Sequence, residues 1–308
     1  MTADMTAAAL VPVAPQDAGV PRARPAGWAG TADPGLFGPH SVSWRVHGDP
    51  LMAVGGLRAL LLQSLHPVVA HGFAAHSGYR EESWGRLLRT ADYVSLTTFG
   101  STAQVEAVAG HVRRAHAGSE FVDPGDGSRR RIDEPELLLW VHTCLVDSVL
   151  VTTRRGGLDL TEDEADTFVA EQVRAGELLG VDPAAAPRSQ AGVAAYLAGV
   201  RGSLHLSAPA RDAVAMVLAP PIHPLLELLT PARLGWSSLA GLAFATLPAW
   251  ARDMFPAPLR TGGAVVPQAA VTSSLRALRR TGRRVGSVVP ALAQSHHEAQ
   301  ARRRLGLG

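Results

Sequence analysis

The sequence predicts an all-α fold built as a single globular helical domain, and three observations carry that prediction. Hydrophobic residues make up 46% of the 308-residue chain but aromatics only 5%. Leu, Val and Ala must therefore build the core, and Ala and Leu favour helices over strands. Helix-start signals recur, with a hydroxyl residue followed three positions later by Gln or Glu at Ser101/Gln104 and Thr161/Glu164. No β-hairpin signal or internal repeat stands out. Charged residues are 18% of the chain, which suits a buried core and argues against global disorder.

Residues 1–38 are rich in Ala, Pro and Gly without periodicity and read as a flexible leader. No basic stretch precedes an apolar one there and no arginine pair occurs, so no secretory signal is expected and the cytoplasm is the expected compartment. One helical domain is expected over residues 39–260. Its first segment, PLMAVGGLRALLLQSLHPVVAHGFAAH, is apolar on nearly all sides and predicts a buried helix pair broken at Pro67. Ser83 to Phe99 predicts a helix ended by Gly100. Ser101 opens the next, which should run to about Ala117 and stop at Gly118. FVDPGDGSRRRIDEP predicts a turn-rich loop, with Asp133 or Glu134 capping the following helix and Pro135 in its first turn.

PELLLWVHTCLVDSVL is hydrophobic almost all round and should be the central helix, closed by Gly156-Gly157. Thr161 and Glu164 open another helix, after which shorter ones are broken by Pro220, Pro221, Pro224 and Pro231. Between Arg233 and Arg252 the uncharged LGWSSLAGLAFATLPAWA reaches only the short limit for a membrane span. It also contains Gly235, Gly241 and Pro248, so a buried core helix is expected. Residues 261–308 set eight arginines (Arg276, Arg279, Arg280, Arg283, Arg284, Arg302, Arg303 and Arg304) against Glu298. They predict a solvated basic tail, partly helical or disordered, that could touch an anionic membrane surface. No specific nucleic-acid partner is expected. All 29 basic residues are Arg and the net charge is +2.

The lone cysteine, Cys144, excludes an intramolecular disulfide and any multi-cysteine metal site, and its neighbours predict a small core residue. His66, His71 and His76 are spaced five apart, which turns each about 140° from the last on a helix, so they cannot share a face. Arg86, Arg89, Thr90 and Tyr93 form one polar stripe at i, i+3, i+4 and i+7. Such a stripe suits an anion or a polar pocket wall, and equally a solvated face. His116 shares a stripe with Val105, Val108, Ala109 and Val112, which points it toward the core. There it is either hydrogen-bonded or a ligand. His142 lies with Leu138, Leu139, Leu145 and Val149 on the central helix. Asp147 is a candidate partner for it, although a five-residue offset disfavours direct contact.

The order GGLRALLLQSLHPVVAHGFAAHS, RLLRTADY, VRRAHAG and DEPELLLWVHTCLVDSVL resembles the domain shared by latex-clearing proteins and MpaB-type oxygenases. The likeness runs from about Trp44 to Leu179 and continues more weakly to about Arg260. It implies globin-like helical packing around a heme pocket, with heme b as cofactor. It also implies His116 as the axial metal ligand, Arg86 and Thr90 on the distal side, and His142 in the cofactor's surroundings. His66 and His76 match histidines without an assigned role. Arg89 stands where the rubber oxygenases have a lysine, and a guanidinium essentially cannot lose its proton to ligate iron. The glutamate proposed as base in rubber cleavage has no counterpart beyond Glu81 and Glu82, so rubber cleavage is not expected.

The resemblance instead implies an oxygenase that uses dioxygen or a peroxide on a small apolar substrate, alkene- or isoprenoid-like. Arg86, Arg89 and Thr90 would be its catalytic groups, and the apolar helices near residues 51–62 and 137–150 would line the pocket. Two other readings are a non-catalytic heme-binding sensor or carrier, and a heme-free helical protein that binds partners or membranes through its basic tail.

Overall fold

Two helices that are apolar nearly all round set the architecture: α2 (Met52–Gln63) and α6 (Pro135–Arg155). A computed structural model describes residues 29–75, 83–123, 125–218, 232–256, 267–285 and 292–307. Among these, α2 and α6 make the most extensive helix–helix contact. Gly55 permits it, because a Cβ at that position would sit 3.0 Å from Val149 Cα. One buried cation crosses the seam. Arg58, 2% exposed, donates to Asp147 Oδ2 and Ser148 Oγ at 2.6 Å each and to the Thr246 carbonyl at 3.2 Å. At the other end, Trp140 Nε1 donates to the Gln63 carbonyl and Gln63 Nε2 donates to the Val141 carbonyl.

The breaks fall where the sequence places them. Pro67 starts α3 (Pro67–Ala75), which turns 102° from α2. α4 (Ser83–Phe99) and α5 (Thr102–His116) are joined through Gly100 and Ser101 and pack on each other. The Ser101/Gln104 capping box has both of its hydrogen bonds, as does Thr161/Glu164 at the start of α7 (Glu162–Glu177). α1 (Val42–His47) rests on α7, where the Glu171 carboxylate accepts from Val42 N, Ser43 N and Ser43 Oγ. An anion at a helix N-terminus satisfies amides that have no partner within the helix.

The chain then continues through α8 (Gln190–Val200), a 3-10 turn (Arg201–Ser203), α9 (Ala208–Leu218), α10 (Ala232–Ala245) and α11 (Ala249–Arg252). It ends with α12 (Gln268–Val285) and α13 (Leu292–Leu305). The protein is a single all-α domain with, among the described residues, one small two-stranded ribbon.

That ribbon is a departure from expectation. The segment read as a turn-rich loop contains β1 (Glu120–Val122) paired antiparallel with β2 (Arg129–Arg131). The reversal spans Asp123 to Ser128, where the Gly127 N–H donates to the Asp123 carbonyl at 2.9 Å and Gly127 takes the left-handed φ of +75°. Phe121 turns inward against Gly72 of α3.

Both ends of the domain also extend further than expected. Leu36 and Phe37, assigned to the leader, are 4% exposed and share a core cluster with Trp44, Phe99 and Val105. The residues read as a solvated tail hold two docked helices. Val271 and Leu275 of α12 enter the main core, and Ala301 and Leu305 of α13 enter the second cluster. Polar contacts fasten them: Arg279 binds Asp49, and Arg304 donates to the carbonyls of Phe99 and Asp33.

The uncharged segment between Arg233 and Arg252 is a core helix only in part. Ala240, Ala243 and Phe244 of α10 are buried, whereas Leu234 is 72% exposed. Among the described residues α6 is the single helix long and apolar enough to cross a membrane. Of its most apolar stretch, 67% is buried inside the protein.

Candidate functional site

His116 is the last residue of α5 and is half-buried. The stripe that carries it is fully buried at Val105 and Ala109 and only partly so at Val112 and His116, so the ring lies at the margin of the core. Asp133, in the turn between β2 and α6, is close enough to interact with it. Hydrogen bonds from Arg131 hold the Asp133 carboxyl below the usual carboxylate range, and His116 adds to that lowering. Arg130 stands nearby among Asp123, Glu134 and Glu136, so the hairpin brings charged groups beside the end of α5.

The polar stripe expected on α4 separates along its length. Arg89 and Thr90 are exposed, and the neighbouring Leu88 is 43% exposed. Tyr93 turns inward, packing against both core clusters. Its hydroxyl is buried without a hydrogen-bond partner among the described residues. Burial pushes its pKa up to about 12, opposed by Thr97 and Arg113. The Arg86 side chain lies outside the described residues, as do His76, Glu81 and Glu82. Because α4 packs on α5, the structure places Arg89, Thr90 and His116 on two adjoining helices.

His142 occupies different surroundings. Its ring faces Gly176 of α7, where a Cβ would come within 3.1 Å of Nε2, so the glycine makes room for the imidazole. Beside it is His47, 3% exposed, whose Nδ1 lies 2.7 Å from Thr98 Oγ1 and whose ring meets Phe168 edge-on at 5.5 Å. Burial lowers the His142 pKa to about 4, and burial together with His142 lowers that of His47 to about 3. Both imidazoles are therefore neutral at ordinary pH. Sequence reasoning singled out His142 and missed His47, whose six-residue helix is too short to show a periodic face.

Other candidates resolve into structural roles. Asp147 pairs with Arg58, not with His142. Cys144 is fully buried, and burial holds its thiol well above the usual range, so it stays protonated. His66 rests on Trp140 at 5.7 Å, while His71 Nδ1 bonds the Pro67 carbonyl of its own helix at 2.8 Å. α2 and α6, the helices expected to line the pocket, pack directly on each other, with Gly55 against Val149. Among the described residues no group of three or more His, Cys, Asp or Glu could hold a bare metal ion.

A protein-family comparison matches residues 44–284 to the ER-bound oxygenase mpaB/B'/rubber oxygenase catalytic domain. The chain belongs to this family. The match covers most of the helical domain and includes α12, so this catalytic domain extends beyond residue 260 into the region read as a tail. The mpaB/rubber oxygenase assignment makes the chain an oxygenase-type catalytic domain and agrees with its helical fold. No curated protein and no solved structure matches the chain at a significant level.

Proposed function

We propose that this chain is a heme-b-dependent oxygenase that acts with dioxygen or a peroxide on a small apolar substrate, alkene- or isoprenoid-like. The observation that supports the reading is that, within an oxygenase-family domain, α4 with Arg89 and Thr90 packs on α5, which carries His116. The donor set fits a porphyrin better than a bare ion. It offers one imidazole at the core margin, guanidiniums for carboxylates, and exposed apolar side chains such as Leu88 that a macrocycle would cover.

Heme b, when bound, supplies an iron centre that activates the oxidant. His116 would hold that iron through an imidazole nitrogen, with the Asp133 carboxylate beside it to interact with the ring. Arg86 and Arg89 are permanently charged donors that bind the macrocycle's carboxylates or orient the oxidant. Thr90 adds a hydroxyl to the same stripe. Arg89, a guanidinium that keeps its proton, would bind through hydrogen bonds and charge and not as an iron ligand. The family resemblance supports a place for His142 in the cofactor's surroundings.

The test is oxygen uptake by purified protein expressed with added heme precursor, measured with and without a panel of isoprenoid alkenes. Uptake that depends on both heme and alkene supports the proposal. A heme-loaded protein inert toward every alkene and peroxide is a carrier or sensor instead, and a protein that takes up no heme removes the reading.

A further inference from the structure

The arginines of α12 do more than coat a solvated surface. Arg276, Arg279, Arg280 and Arg283 fall at i, i+3, i+4 and i+7, so they share one face of the helix. Val271 and Leu275 anchor the adjoining side in the core. The basic face closes over the end of α6, and the four arginines with Gly156 and Gly157 line an open cavity of about 350 Å³. Gly157, at φ +88°, forms the floor, and the Arg276 stem runs close above it.

Structural demand accounts for one of these cations. Arg279, its side chain 15% exposed, binds the buried Asp49 carboxylate and donates to the Gly157 carbonyl at 2.8 Å. It thereby satisfies a buried acid and the carbonyl end of α6 together. Arg283 reaches Asp49 only at 3.9 Å and is 60% exposed. Among the described residues, Arg276 and Arg280 are exposed and make no ion pair. Four guanidiniums thus surround one cavity against a single carboxylate that is already satisfied. Clustered cations repel, and the planar forks of arginine match phosphoryl oxygens in paired hydrogen bonds.

We propose that this cavity is a binding site for a phosphoryl anion carrying at least two negative charges, presented by a free phosphate compound or by a phosphomonoester lipid headgroup. The site is separate from His116 and its neighbours and does not depend on heme. Arg276, Arg280 and Arg283 hold the anion, and Arg279 stays on Asp49 and fixes the helix over the cavity floor.

The experiment titrates full-length protein with inorganic pyrophosphate by calorimetry. In parallel it measures sedimentation with phosphatidylcholine vesicles, with and without phosphatidic acid. The double variant Arg276→Gln/Arg280→Gln is compared with Arg129→Gln/Arg188→Gln, which removes the same charge at exposed positions outside the cavity. Wild type and the outside variant should bind saturably, and the cavity variant at least about tenfold more weakly, the loss expected from removing charge-assisted hydrogen bonds. Thermal melts without ligand should agree, since Arg276 and Arg280 are exposed. Binding to pyrophosphate identifies a free anion, and binding only to phosphatidic acid vesicles identifies a headgroup. Failure of both probes with wild type, or equal weakening in the two variants, overturns the proposal.

Discussion

His47 shows how one side chain can set a property of the whole molecule. Burial and the adjacent His142 lower its pKa to about 3, against an ordinary value of 6.5. The unfolded chain therefore takes up the proton first as pH falls. Stability is complete above about pH 6.5 and declines continuously below it, toward pH 3. Each unit corresponds to about 1.4 kcal/mol, so His47 should account for a loss of about 2 kcal/mol between neutrality and pH 5. Thermal melts across that range should show wild type falling faster than His47→Gln; parallel profiles would contradict the assignment. The sequence concealed this residue because its burial comes from Thr98 and Phe168, far along the chain. The reverse holds for the α4 stripe. Its spacing was plain in the sequence, but spacing alone could not show that Arg89 and Thr90 face outward while Tyr93 turns in.

Between elements, the close approach of α2 and α6 organises the domain, and Gly55 is the position that allows it. Gly55→Val should force the helices apart at Val149 and destabilise the fold by about 1–3 kcal/mol, read as a lower urea midpoint. An unchanged midpoint would mean the seam is looser than the structure shows. Element boundaries were the most legible part of the sequence, because Pro67, Gly100 and the two capping boxes act locally. The hairpin was missed for a physical reason. Its strands are three residues each, and Arg129–Arg131 has no apolar alternation to mark a buried face. Asp126-Gly127 was the available signal.

At the scale of the whole molecule, the C-terminal helices belong to the domain. A chain ending at Pro267 would lose Val271 and Leu275 from one core and Ala301 and Leu305 from the other. It would also leave Asp49, its side chain fully buried, without Arg279. The truncated protein should lack a cooperative melt, and a wild-type melting temperature would restore the reading of a dispensable tail. Arginine-rich composition suggested solvent, but the apolar residues at helical spacing beneath it decided the packing. The family and the helical class were readable in four ordered motifs, whereas the surroundings of each histidine had to come from the fold. The role proposed for His116 is that of heme ligand. The most direct test is the absorption spectrum of wild type and His116→Ala, each expressed with added heme precursor and matched by thermal melts. Wild type should show a Soret band that is lost or shifted in an equally folded variant. An unchanged band and unchanged heme content in His116→Ala would contradict it.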